Sequence, residues 1–171
     1  MLASCLAICL LGQPKTTPIV PGSGIGAVNV GMPVAGVRAK MGGGDKPAPT
    51  SNGFIDSWQG KRGNFAVMYW DNGSGYVADC IVATSPSFRT AKGCGPGASM
   101  ATFKTEFPKA TKRGVIKLKS GKRMTSYRQT DAGLTFLVGD DNKCILVVVH
   151  PAKPAHVDDV MEDLWAYTAR P

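Results

Sequence analysis

The chain has little acid, almost no histidine, few cysteines and no long apolar run. Twelve Asp and Glu stand against twenty Lys and Arg, a formal net charge of +8, which favours anionic partners. The two histidines, His150 and His156, flank a proline-bounded loop, and nothing near them completes a zinc site. No apolar stretch reaches the roughly 20 residues a membrane-spanning helix needs. The ordinary apolar fraction, 43%, with 21 glycines and 12 prolines, indicates a globular, loop-rich chain.

Catalytic patterns are equally scarce. Gly97-Ala98-Ser99-Met100-Ala101 lacks the final glycine of a nucleophile elbow, and Ser99 reads more simply as a helix N-cap. Asp140-Asp141 and Asp158-Asp159 are adjacent pairs in a turn and at a helix start, both stabilising positions. Gly22-Ser23-Gly24-Ile25-Gly26-Ala27 fits a dinucleotide fingerprint by letter, but Pro18 and Pro21 stand where its strand should be. Gly93-Cys94-Gly95-Pro96-Gly97 could cradle an anion, but a comparable turn before the first helix makes a structural role the better explanation. These patterns predict a protein that is not an enzyme and needs no cofactor or metal.

What is present is a self-similarity. Met32–Met41 aligns with Ala98–Phe107, matching Val34 to Met100, Val37 to Phe103, Met41 to Phe107 and Arg38 to Lys104. Phe65–Asp71 aligns with Leu134–Asp140, and Cys80–Pro86 with Ile145–Pro151. A duplication of about 65 residues is the reading this suggests. Each unit is predicted to open with a short helix, over 33–41 and 99–107, stopped by Gly42-Gly43-Gly44 and by Pro108. Strands are expected around 54–58, 64–70 and 76–84, then 114–119, 124–128, 134–138 and 143–150. Asp71-Asn72-Gly73 marks a hairpin turn. Cys144–Val149 is continuously apolar and should lie centrally, covered on both faces. Val157, Val160, Met161, Leu164 and Trp165 sit at helical spacing with acids between them. The expected fold is α+β: two tandem helix-plus-antiparallel-sheet units packed as one body, with a C-terminal amphipathic helix. The boundaries are a signal-like or lipoprotein leader at 1–12, a Pro/Gly/Ser/Thr-rich tether at 13–24, unit one at 25–86, unit two at 87–151 and the helix at 152–171.

The leader is apolar from Leu2 to Leu11, and within it Leu2-Ala3-Ser4-Cys5 resembles a bacterial lipobox, making Cys5 the candidate lipidation site. Past the leader, Cys80 and Cys94 are the first candidates for a disulfide because they are close in sequence; three buried thiols, with Cys144, is the other reading. The densest charge runs from Lys104 to Arg128. It holds Lys104, Lys109, Lys112, Arg113, Lys117, Lys119, Lys122, Arg123 and Arg128 against Glu106 alone. Lys112, Arg113, Lys117, Lys119, Lys122, Arg123 and Arg128 form the candidate binding surface, a basic hairpin whose plainer explanation is a solvated edge. With only Tyr127 for stacking, nucleic acid is disfavoured. Trp58, Tyr69, Trp70, Tyr76 and Phe88 would mark a protein-binding surface if exposed together.

Val30-Gly31-Met32-Pro33, then Val37 and Met41-Gly42, followed by antiparallel strands, resembles the units of small bacterial envelope proteins. Two families share the pattern: the small lipoproteins of outer-membrane assembly and the tandem β-lactamase inhibitor protein family. Ser85-Pro86-Ser87-Phe88-Arg89-Thr90, leading to Gly95-Pro96-Gly97, is similar to the linker between such units. The resemblance spans about 25–151 and implies sheet faces or loops that bind partners without catalysis. The expected role is therefore a non-enzymatic exported binding protein of the bacterial cell envelope, periplasmic or secreted. Its partner would be an envelope protein or an anionic lipid or polyanion, with membrane association only through a lipid anchor. The alternatives are a secreted inhibitor of a β-lactamase or protease type and, from another class, a hydrolase.

Overall fold

A computed structural model describes residues 16–45, 47–59, 64–117 and 121–152. Among them the chain is mostly β, 48% strand and 14% helix. The strands are β1 (Thr17–Val20), β2 (Gly24–Ile25), β3 (Val28–Asn29), β4 (Ala48–Pro49), β5 (Gly53–Trp58), β6 (Phe65–Asp71), β7 (Tyr76–Ala83), β8 (Phe88–Arg89), β9 (Thr111–Lys117), β10 (Arg123–Gln129), β11 (Leu134–Gly139) and β12 (Cys144–Val149). Helices α1 (Val34–Met41) and α2 (Met100–Glu106) are short, and a 3-10 turn covers Thr130–Ala132.

The expectation of two helix-plus-sheet units with a C-terminal helix is corrected by the sheet. Eight strands form one sheet in the order β4-β5-β6-β7-β12-β11-β10-β9. The seam lies between β7 and β12, where Ile81, Val82 and Ala83 pair antiparallel with Val149, Val148 and Val147. These β-branched runs fit a pleated surface buried on both sides, and their continuous ladder merges the two halves. Helices of eight and seven residues are too short to make a helical layer over either half. The amphipathic helix expected at 152–171 lies, over 153–171, outside the described residues, as do the leader and Cys5.

A second sheet, β3-β2-β1-β8, was not expected. The stretch read as a tether is, over 17–24, part of it. Ile19 and Ile25 are buried, and β1 runs parallel to β8, pairing Thr17 with Phe88 and Pro18 with Arg89. This small sheet, α1 and α2 all pack on one face of the large sheet. Ile19, Ile25, Val28, Val37, Phe88, Phe103 and Phe107 meet Val67, Tyr69, Ile81, Phe136 and Val147 there. Phe103 stacks on Phe136 at 4.1 Å, and Phe136 on Tyr127 at 5.5 Å. The opposite face carries Ile55, Met68, Cys80, Val82, Met124, Leu137, Leu146 and Val148, a cluster made of sheet residues alone among those described.

Local expectations fare better than the architecture. Gly42 closes α1 with φ 78°, a left-handed value that favours glycine, and its N–H bonds Arg38 O. Ser99 caps α2, its Oγ accepting from Thr102 N at 3.2 Å. Asp71 and Asn72 side chains hold the β6–β7 turn by accepting from Gly73 N and Ser74 N, both at 2.9 Å. Strand β12 sits centrally, contributing Cys144, Val147 and Val149 to one core and Leu146 and Val148 to the other.

Candidate binding surface

The two edges of the large sheet differ. Strand β4 is two residues long and contains Pro49, so it offers almost no ladder to another chain. Strand β9 runs seven residues, Thr111–Lys117, without proline, and every residue except Ile116 is exposed. Its inner side pairs with β10: Lys117 opposite Arg123, Val115 opposite Thr125, Lys112 opposite Tyr127. A register irregularity at Ser126/Tyr127 gives β9 one extra residue, Arg113, and resets the alternation. Lys112, Val115 and Lys117 consequently share the face that Tyr127 presents to Phe136. Val115 is 51% exposed, flanked by cations.

The structure divides the predicted basic residues. Lys112, Arg113, Lys117 and Lys122 are exposed along the hairpin. Lys119 lies outside the described residues. Arg123 is exposed but turned to Asp140, with Nε 3.6 Å from Oδ1 and its backbone N–H donating to Oδ2 at 3.3 Å. Lys109 similarly meets Asp131 at 3.8 Å. Arg128 does not belong to the surface. It is buried, and its Nε donates to Thr135 Oγ1 at 3.0 Å. The cause is strand alternation, since Met124, Ser126 and Arg128 all point to the buried side of β10.

At the tip of the hairpin a groove of about 700 Å³ is lined by Lys122, Arg123, Met124, Gly139, Asp140, Asp141 and Ile145. Sequence reasoning found its two cations and missed its apolar floor. Ile145, in a strand expected to be covered on both faces, is 41% exposed. The acids of the β11–β12 turn also shape the backbone, Asp141 Oδ1 accepting from Lys143 N at 3.1 Å.

Three further readings meet the structure. Cys80, Cys94 and Cys144 are free and buried. Cys80 lies in the core on one face of the sheet and Cys94 in the core on the other, so the proposed Cys80–Cys94 disulfide does not form. Burial, then the Glu106 carboxylate, pushes the Cys94 thiol up to about 12. Burial pushes Cys80 and Cys144 up as well. Of the aromatic residues, Trp58, Tyr69 and Phe88 are buried, Trp70 is half-buried and Tyr76 is exposed, so they do not gather on one surface. His150 is wholly buried beneath Thr135.

A buried polar chain missed at the sequence level runs across the sheet. Arg128 Nε donates to Thr135 Oγ1, which lies 3.1 Å from His150 Nε2. His150 Nδ1 lies 2.9 Å from the Pro151 carbonyl oxygen, an acceptor, so Nδ1 carries the ring proton and Nε2 accepts from the Thr135 hydroxyl. Burial lowers the His150 pKa, consistent with the neutral ring. The only signal in the sequence was the even spacing of Met124, Ser126 and Arg128.

Comparison with protein-family models, with curated proteins and with solved structures finds no match.

Proposed function

We propose that this is a non-enzymatic binding protein of the bacterial envelope that engages an anionic partner through the basic β9–β10 hairpin. The observation that carries the reading is the asymmetry of the sheet edges: β9 is long, exposed and cationic, whereas β4 is two residues with a proline. The apolar leader and the resemblance to envelope-protein units support the location and the binding role. Burial of Trp58, Tyr69 and Phe88 leaves an aromatic-anchored inhibitor surface with only the exposed Tyr76 and half-buried Trp70 among the five aromatic candidates.

The test is titration of the full chain with polyglutamate and with phosphatidylglycerol vesicles, against phosphatidylcholine vesicles, at about 0.05 M and about 0.3 M salt. A variant with Lys112→Ser, Lys117→Ser and Lys122→Ser runs beside the parent. These lysines are exposed, so the fold should hold. Binding to an anionic probe that drops about tenfold in the variant and at high salt supports the reading. Equal binding by parent and variant, or none to either anionic probe, overturns it.

A further inference from the structure

The geometry points to β9 as the site where an extended acidic segment of a partner protein adds a ninth strand to the sheet. This deepens the proposed binding role and rests on it. Strand addition needs an accessible strand edge, and β9 is the terminal strand of the sheet order, its ladder running to β10. Its seven-residue length exceeds that of a blunted edge such as β4. Cations on an edge discourage pairing with a copy of the same edge, because Lys112 and Lys117 would face like charges. They favour a strand of opposite charge for the same reason.

The face pattern sets the partner's chemistry. Lys112, Val115 and Lys117 stand on one face of β9, an exposed apolar residue between two cations. The complementary strand carries acids on both sides of an apolar residue at alternating positions, so that carboxylates meet the ammonium groups and the apolar side chain covers Val115. Charge would steer the encounter, the backbone ladder would hold it, and the Val115 contact would set the register.

The probe is the capped peptide Glu-Thr-Glu-Thr-Val-Thr-Glu-Thr-Glu, titrated into the full chain with hydrogen exchange of the β9 amides as the readout. Two further peptides carry N-methyl groups on alternate residues, one on each edge of the extended strand. Expected is slowing of exchange at outward β9 amides by about tenfold or more on binding. One N-methylated peptide should bind at least about tenfold more weakly and the other should bind like the parent. The paired variant K112E/K117E should also lose binding.

Peptide binding with unchanged β9 exchange, and equal loss or equal retention for both N-methylated forms, would leave a charged patch and overturn strand addition. Binding of phosphatidylglycerol vesicles but not of the peptide would overturn it in favour of a lipid headgroup surface, with the basic-hairpin reading intact. Protected β9 amides in the unliganded chain would show the edge already covered, by the chain itself if it sediments as a monomer or by a second copy if as a dimer. Failure of every anionic probe would remove the basic-hairpin reading as well.

Discussion

Arg128 and Thr135 face each other across β10 and β11, the guanidinium Nε donating to the hydroxyl at 3.0 Å inside the sheet's second core. The basic run from Lys104 to Arg128 therefore ends inside the protein.

Substitution should separate that buried cation from its exposed neighbours. Arg128→Met strips a charged donor from a buried chain and leaves Thr135 and His150 to rearrange, so a loss of about 2 kcal/mol or more is expected. Lys112→Ser, on the exposed edge, should stay within about 0.5 kcal/mol of the parent. For binding to polyglutamate the order reverses, with Lys112→Ser weakening it and folded Arg128→Met leaving it unchanged. Urea melts beside a titration read both. An unchanged melt with weakened binding in Arg128→Met would put Arg128 on the surface.

Tyr69 gives a prediction of the opposite sign. Its ring is wholly buried and packs on Phe54 at 4.7 Å, while its hydroxyl has no hydrogen-bond partner among the described residues. Burial, then the nearby Asp56 carboxylate, pushes the phenol pKa above its ordinary value. A buried unpaired hydroxyl costs free energy in the folded state, so Tyr69→Phe should be neutral or stabilising by up to about 1 kcal/mol. A thermal melt checks it. Destabilisation beyond about 1 kcal/mol would mean the hydroxyl has an acceptor after all.

The three internal thiols should be inert in the native state. Only a thiolate reacts readily, and burial holds Cys94 at about 12 and shifts Cys80 and Cys144 upward too. Maleimide at neutral pH should leave all three unmodified until urea is added. Peptide mass mapping keeps them apart from Cys5 and Cys9. A mass for linked Cys80 and Cys94 peptides would contradict their placement on opposite faces of the sheet.

Periodicity in the sequence located most elements and missed how they combine. Val37 and Phe103 were legible as helix faces, and both are buried. Asp71-Asn72-Gly73 was legible as a turn because its side chains act locally. The small sheet was not, since β1 is a proline-bearing four-residue strand whose parallel partner β8 is far along the chain. Nothing local signals such a pair. Merging of the two halves had the same origin: Val82 and Val148 read as core residues of separate units, and only their pairing across the seam makes one sheet. At the candidate site, charge was legible and direction was not. The extra residue Arg113 shifts the alternation of β9 by one, which brings Lys112 onto the face of Val115 and Lys117.

His150 makes stability depend on pH with a defined sign. Burial is the largest cause of its lowered pKa; Arg128 acts the same way, while Asp79 and the carbonyls of Pro151 and Leu134 act against it. The unfolded chain has an ordinary imidazole near 6.5, so below that pH it binds a proton the folded ring resists. The contribution is fully present above about 6.5 and is lost as pH falls from there through the lower folded value. Protonation also turns Nε2 into a donor toward Thr135, which already receives the Arg128 N–H, and the Thr135 hydroxyl loses its acceptor in the chain. Melting temperature should therefore fall steadily as pH drops below about 6.5. His150→Gln should reduce that slope even though it lowers stability at neutral pH. Proton NMR of the imidazole provides the decisive measurement: titration at or above 6.5 would show the ring charged in the folded protein and would undo the hydrogen-bond direction assigned from Arg128 to Pro151.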